Sequence, residues 1–142
     1  MNQTGTMRFA QKALIVKGDK ILFTKRSPKE TSSGIPWDIP GGRLEFGEQL
    51  ADALKREIEE EVSLQLTDME LLRVFTWFPK PDFQLIVATY MAHAREGEII
   101  LSDECCDYAW WTPAEALQNP ELKMFHPDIA KVAERLPVAN KV

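Results

Sequence analysis

Residues 56–61 read Arg-Glu-Ile-Glu-Glu-Glu, so four carboxylates fall within five consecutive positions. Leu50, Leu54 and Ile58 recur every fourth position through this region, which predicts an amphipathic helix from Gln49 to about Val62. Carboxylates this dense repel one another, and they lie toward the helix C-terminus, where the macrodipole also disfavours anions. A bound divalent cation is the most economical partner for such a helix.

The acidic helix has two interpretations. A solvated helix face is the usual explanation of a lone Glu-rich helix. A metal site is favoured by the upstream turn Pro40-Gly41-Gly42, whose backbone allows a ligand to come close, and by the additional oxygen ligand that Glu48 offers. Glu57 and Glu61, one turn apart, have no basic residue one turn further on. Oxygen ligands without nearby His or Cys select hard cations, Mg²⁺ or Mn²⁺.

Composition limits the class of protein. The 142 residues predict one domain, residues 1–142, with its own core. The net charge of −5 argues against binding to a nucleic-acid polymer or an anionic membrane. Adjacent Cys105 and Cys106 predict neither a disulfide framework nor a thiolate zinc site. No apolar run has the length of a signal or membrane-spanning segment, so we expect a cytoplasmic protein.

Runs rich in aliphatic, aromatic and β-branched residues, separated by Gly- and Pro-containing turns, predict the strands. They lie at residues 8–16, 20–26, 43–44, 71–78, 84–94, 97–101 and 108–111. Lys17-Gly18-Asp19 predicts a hairpin turn, and the nearly all-apolar run 84–94 predicts a central strand. Thr112-Pro113 begins a short helix and residues 127–136 form a last one. The order predicts a mixed α/β (α+β) fold, with one long helix after the third strand.

The acidic helix and the residues before it resemble the Nudix box, G-x5-E-x7-R-E-U-x-E-E-x-G-U, where U is a bulky apolar residue. The matching positions are Gly42, Glu48, Arg56-Glu57-Ile58, Glu60-Glu61 and Leu64. The resemblance implies the Nudix fold, a curved mixed β-sheet sandwiched between helices. Ser63 replaces the last glycine; serine takes the left-handed conformation at a cost of about 1 kcal/mol, or else the helix ends differently.

The resemblance also implies an activity and a metal site. Nudix enzymes hydrolyse a diphosphate linkage in a nucleoside diphosphate linked to another moiety, with Mg²⁺ or Mn²⁺ bridging the phosphates. By this resemblance Glu60 and Glu61 are the principal metal ligands, joined by the backbone carbonyl of Gly41. Glu57 occupies the position that binds metal or deprotonates water. Glu48 is expected to bind a further ion, directly or through water.

Further site residues follow from the same resemblance. Arg56 is expected to orient a glutamate by an ion pair. Glu104 is a candidate for a distant carboxylate that completes the metal shell or serves as the base, and an exposed loop acid is the alternative. Arg26 is a candidate phosphate contact, and a solvated strand end is its alternative. Trp77 and Phe83 are candidates for stacking on a base or another aromatic moiety, although core packing explains them as well.

The substrate and assembly stay open at this level. The expected partner is a small nucleotide or nucleoside-diphosphate derivative, and a homodimer is an expected assembly because Nudix proteins are frequently dimers. Pro79 and Pro81 lie near a proline position of members that act on ADP-ribose, whereas the chain length suits a compact triphosphatase. The rival functions are a catalytically silent nucleotide or metabolite sensor and an isopentenyl-diphosphate isomerase.

Overall fold

The computed structural model describes residues 4–30 and 36–137. Within these residues the chain forms seven strands, three α-helices and two 3₁₀ helices, the latter at Pro28–Glu30 and Pro120–Phe125. The strands are β1 (Thr6–Lys17), β2 (Lys20–Arg26), β3 (Trp37–Asp38), β4 (Gly41–Arg43), β5 (Leu66–Lys80), β6 (Phe83–Ala94) and β7 (Cys105–Trp111). The α-helices are α1 (Leu50–Val62), α2 (Pro113–Leu117) and α3 (His126–Arg135).

Strand β1 organises the sheet because it pairs along both of its edges. One edge runs parallel to β6 from Thr6 to Ile15, and the other pairs antiparallel with β4 and then with β2. The β1–β2 hairpin turns at Gly18-Asp19, where Gly18 has a φ of 64°. Strand β5 pairs with β6, while β3 and β7 both pair with β2. The predicted hairpin and the central position of the apolar strand are both confirmed.

Helices cover both faces of the sheet. Successive side chains of β1 point to opposite faces, so Ala13 and Ile15 join one apolar cluster and Leu14 joins the other. Helix α1 packs Leu54 and Ile58 into the first cluster, and the C-terminal helices pack residues such as Ile129 into the second. The expected mixed sheet between helices is therefore confirmed. Among the described residues, no helix has the length and apolar character that crossing a membrane requires.

Two predicted elements differ from the structure. Residues 97–101 were predicted as a strand, but they run past the end of α1, and the backbone N–H of Ile100 donates to the carbonyl of Val62. The N–H of Ser102 likewise donates to the carbonyl of Glu61. The last carbonyls of a helix lack partners inside it, and this segment satisfies two of them. The sequence predicts three strands before the long helix, but α1 follows four. The additional one is the two-residue β3, which pairs with β2.

Ser63 ends α1 in the left-handed conformation, with φ 63° and ψ 28°. Its backbone N–H donates to the carbonyl of Glu59 at 3.0 Å, and its hydroxyl donates to the carbonyl of Ile100 at 3.1 Å. Serine therefore closes the helix with the geometry that a glycine would adopt there, which is the first of the two endings considered from the sequence.

Candidate active site

Helix α1 places two carboxylates against the glycine pair Gly41-Gly42. Both glycines lie in β4 and pair with β1, so the tight turn predicted at Pro40-Gly41-Gly42 is wrong for these two positions. The backbone N–H of Gly41 faces Oε2 of Glu61 at 3.5 Å. Gly41 has a φ of +155°, and a Cβ there would collide with the carbonyl oxygen of Gln11 in β1. A Cβ on Gly42 would overlap the carboxylate of Glu57. The missing side chain at position 42 thus lets Glu57 approach the glycine pair, and the missing side chain at position 41 lets the pair lie against β1.

Arg56 connects the glutamates that lie around the glycine pair. Its Nε and Nη2 atoms donate to the two carboxylate oxygens of Glu48 at 2.6 and 2.9 Å. Its Nη1 lies 2.9 Å from Glu57 and 3.2 Å from Glu60. The hydrogen bond from Arg56 is the main reason that the pKa of Glu48 lies below its usual value. The planar guanidinium fork suits such paired contacts.

Glu57 has no basic residue one turn further on, as its spacing indicates, but the neighbouring Arg56 contacts it directly. The helical i, i+4 rule does not consider the reach of an arginine beside the carboxylate. Glu60 shares the same guanidinium and keeps a side chain that is 62% exposed.

Glu61 lies deeper than the other carboxylates of the helix. Burial raises its pKa, the nearby Lys12 acts in the opposite direction and Asp38 adds to the rise. The thiol of Cys105 lies 3.5 Å from Oε1 of Glu61, and its own pKa is raised to about 12, first by burial and then by this carboxylate. The thiol therefore stays protonated and can donate to Glu61.

Glu57 is also in an environment that disfavours its charge. Burial raises its pKa, the ion pair with Arg56 opposes that shift, and the carboxylates of Glu60 and Glu104 add to it. Two carboxyl groups of α1, at 57 and 61, thus have pKa values above their usual range, for which burial is the leading cause.

An open cleft of about 790 Å³ begins at the glycine pair Gly41-Gly42. Five of the residues predicted from the sequence line it, namely Gly41, Glu57, Glu104, Arg26 and Trp77. The structure thus brings the second candidate carboxylate and one candidate aromatic residue to the same space as the box. Glu61 lies against Gly41 at its edge.

Phe83 and Glu48 have other surroundings. The Arg43 guanidinium lies 4.9 Å from the ring centroid of Phe83, so this ring supports a cleft-lining arginine. Both oxygens of Glu48 accept hydrogen bonds from Arg56. Each of these two side chains therefore contacts an arginine of the site, Phe83 the Arg43 guanidinium and Glu48 the Arg56 guanidinium.

Several cleft residues were not predicted. Lys12 donates to Oδ2 of Asp38 at 3.0 Å and to the carbonyl of Ile39 at 3.2 Å, in the floor of the cleft. Its signal in the sequence is the polar pair Gln11-Lys12 between the apolar residues 9–10 and 13–16 of the strand. One wall comes from the Pro120–Phe125 3₁₀ helix, including Lys123. No local motif marks that wall, because it reaches the cleft only through the fold.

The donor set fits a hard divalent cation by its chemistry. Glu57, Glu61 and the carbonyl of Gly41 offer only oxygen, and a cation would offset the cost of the two partly buried negative charges. Across residues 4–30 and 36–137, no three His, Cys, Asp or Glu side chains converge into a ready-made metal cluster. Arg56 instead occupies carboxylate oxygens of Glu48, Glu57 and Glu60.

Comparison with known families places the chain. The NUDIX domain model matches residues 7–136 of the 142. The chain belongs to the Nudix hydrolase family. This membership agrees with the mixed sheet, the covering helices and the position of α1 beside the glycine pair.

Characterised Nudix relatives share parts of the sequence. The 8-oxo-dGTP diphosphatase of Buchnera aphidicola subsp. Schizaphis graminum is 36% identical over 67 residues, 47% of this chain and 51% of the relative. The CTP pyrophosphohydrolase of Escherichia coli K12 is 28% identical over 120 residues, 76% and 78% of the two chains. The nucleoside triphosphatase NudI of E. coli O17:K52:H18 is 32% identical over 89 residues, 56% and 63%. The chain thus spans about half of the first relative and under two thirds of the third.

Solved Nudix structures share the fold. The MutT protein of Methanosarcina mazei superposes with a TM-score of 0.76 at 22% identity, covering 94% of this chain and 97% of that one. The MutT NUDIX hydrolase of Burkholderia pseudomallei has a TM-score of 0.66 at 30% identity, covering 77% and 85%.

Proposed function

We propose that this Nudix chain hydrolyses a phosphoanhydride bond of a nucleoside triphosphate or a related nucleoside-diphosphate derivative, using Mg²⁺ or Mn²⁺. The observation that carries the proposal is that Glu57 and Glu61 both lie against the glycine pair Gly41-Gly42 at the mouth of the cleft. Three relatives whose names describe the cleavage of nucleoside triphosphates support it.

The proposed metal ligands are the carboxylates of the box and the carbonyl of Gly41. Glu57, Glu60 and Glu61 supply the helix oxygens, and Glu48 supplies a further one. When bound, the ion neutralises the diphosphate and activates water for attack on phosphorus. Arg56 holds Glu48, Glu57 and Glu60 in a fixed relation to one another, which supports its role as a positioning residue.

The remaining cleft residues divide between the phosphates and the rest of the substrate. Lys12, Arg26 and Arg43 bring positive charge to the cleft and favour phosphate oxygens. Trp77 offers an aromatic surface for a base. Glu57 and Glu104 both line the cleft, so each is a candidate for the base that takes the proton from water.

The names of the relatives favour one of the two substrate classes. All three of the named relatives act on nucleoside triphosphates, so we place a triphosphate ahead of ADP-ribose-type substrates for this chain. Cytoplasmic localisation and a homodimeric assembly stay predictions of the sequence.

The test is product release from a panel of nucleoside triphosphates and nucleoside-diphosphate derivatives in the presence of Mg²⁺. Glu60→Gln should reduce turnover by about a hundredfold or more, because it removes a charged metal ligand. Glu59→Gln is the matched control, since Glu59 is an exposed residue of the same helix that the proposal leaves out. Equal activity of the Glu60 variant and the wild type would contradict hydrolysis at this helix. Nucleotide binding without release would favour the sensor function instead.

A further inference from the structure

An ion pair with a buried carboxylate joins Arg73 to Asp128, away from the proposed metal ligands. Asp128, in the first turn of α3, has no solvent-exposed surface. Its carboxylate accepts hydrogen bonds from Nε and Nη2 of Arg73 at 3.2 and 2.7 Å and from the hydroxyl of Thr89 at 2.6 Å. Arg73 lies on β5 and Thr89 on β6, so one carboxylate joins α3 to two strands.

The same arginine reaches the cleft wall. Nη2 of Arg73 also donates to the backbone carbonyl of Met124 at 2.8 Å. Met124 belongs to the Pro120–Phe125 3₁₀ helix and lines the cleft. The bond from the charged Arg73 to the Met124 carbonyl therefore sets the position of this wall relative to β5, and the buried Asp128 carboxylate holds Arg73 in place.

Aromatic contacts continue the connection along β5. Arg73, Phe75 and Trp77 alternate along the strand and lie on the same face of the sheet. The guanidinium of Arg73 lies 4.0 Å from the ring centroid of Phe75, and this ring meets Phe125 edge-on at 6.5 Å. Trp77 and Phe125 both line the cleft.

We propose that Arg73 is a positioning residue for substrate binding. By holding Asp128 and the Met124 carbonyl together, it fixes the 3₁₀ wall relative to Trp77, and so sets the width of the part of the cleft that receives the nucleoside. An ion pair around a buried carboxylate adds little to stability compared with apolar residues of the same size, so specific geometry is the better reason for its presence. The inference rests on the proposed function of the cleft.

Arg73→Lys is the discriminating variant, because lysine keeps a cation for Asp128 and loses the simultaneous bond to Met124. Arg135→Lys is the matched control. Arg135 also joins α3 to β5, through Glu70 at 3.0 Å, but on the exposed side and away from the cleft. Thr89→Val is a second variant that loosens Asp128 and leaves Arg73 in place.

Tryptophan fluorescence measures binding of the α,β-methylene analogues of CTP and dGTP with Mg²⁺, and of Mg-pyrophosphate as the probe without a nucleoside. Arg73→Lys should weaken nucleotide binding by about three- to tenfold, the size of one ordinary hydrogen bond, because Arg73 acts through the wall and does not touch the nucleotide; pyrophosphate binding should stay within about twofold. Thr89→Val should change nucleotide binding in the same direction and by less. In turnover assays the KM should rise while kcat stays within about twofold.

Two results would overturn the proposal: an Arg73→Lys chain that binds nucleotide as Arg135→Lys does, or an equal loss for nucleotide and pyrophosphate. If Arg73→Lys does not fold, unchanged nucleotide binding by Thr89→Val overturns it instead. A wild-type chain that binds the analogues but cleaves no nucleotide would contradict the proposed hydrolysis alone, and the titrations would still decide the role of Arg73.

Discussion

The Arg56 guanidinium binds both carboxylate oxygens of Glu48, eight residues earlier in the chain, at 2.6 and 2.9 Å. The same group contacts Glu57 and Glu60 through Nη1. One cation therefore joins the loop before α1 to two glutamates on the helix. The consequence is that the orientation of the proposed metal ligands depends on a side chain that does not itself bind metal.

We expect Arg56→Lys to lower kcat/KM by about ten- to a hundredfold, which is typical of losing a residue that orients metal ligands. Lysine has one charged nitrogen and cannot hold Glu48 at two points while reaching Glu57. The free energy of unfolding should fall by no more than about 1–2 kcal/mol, because the ion pairs are partly solvent-exposed. Kinetics in Mg²⁺ and urea unfolding measure the two effects. Full activity in the variant would show that Arg56 does not position the glutamates.

Gly41 and Gly42 should respond differently to alanine. At Gly42 the new methyl group meets only the end of the flexible Glu57 side chain, so Gly42→Ala should fold normally and lose activity at least about tenfold as Glu57 moves. At Gly41 the methyl group meets backbone atoms of β1, including Cα of Lys12 at 2.8 Å, and φ is +155°. Gly41→Ala should therefore lower the free energy of unfolding by about 2 kcal/mol or more. Urea unfolding and turnover of both variants test this contrast, which equal effects would contradict.

Features determined by neighbouring residues were predictable from the sequence. The four-residue spacing of Leu54 and Ile58 located the buried side of α1, although Leu50, at 47% exposed, lies outside the core. The Thr112-Pro113 helix start is confirmed, since Thr112 and Glu115 form a complete capping box.

Features determined by the fold were missed. Residues 97–101 have a strand-like composition, but the unpaired carbonyls at the end of α1 decide their conformation. Lys12 reaches Asp38 across the sheet, and the 120–125 wall meets β5 through Arg73. These contacts join residues 26 or more positions apart, so no local pattern reveals them.

Ser63 offers a test of backbone strain at the end of the box. Ser63→Gly and Ser63→Ala both lose the exposed hydroxyl bond to Ile100, but only glycine relieves the left-handed conformation. We expect the glycine variant to be more stable than the alanine variant by about 1 kcal/mol, with activity unchanged in both. Thermal unfolding monitored by circular dichroism measures the difference. Equal stability would mean that α1 ends without strain at this residue.

Glu61 should make stability depend on pH in a characteristic direction. Its folded-state pKa lies above its ordinary value of 4.5, mainly because of burial, so the folded chain holds the proton more tightly than the unfolded chain. The contribution of Glu61 to stability therefore declines as pH rises from about 4 through the raised folded pKa. Glutamine cannot ionise, so Glu61→Gln should be more stable than the wild type above this window, and the advantage should shrink toward acid.

Urea unfolding between pH 4 and 8 in EDTA measures that advantage. Glu59→Gln removes one carboxylate from the exposed side of α1 and controls for the change in net charge. The lowered pKa of Glu48 has the opposite effect on acid stability, but Glu48 is present in every variant and cancels from the comparison. Added Mg²⁺ should stabilise the wild type and leave Glu61→Gln nearly unchanged, because binding to the folded state alone raises the free energy of unfolding. If the wild type loses stability toward acid relative to Glu61→Gln, the raised pKa of Glu61 is contradicted. If Mg²⁺ stabilises Glu61→Gln as much as the wild type, the role of Glu61 as a metal ligand is contradicted.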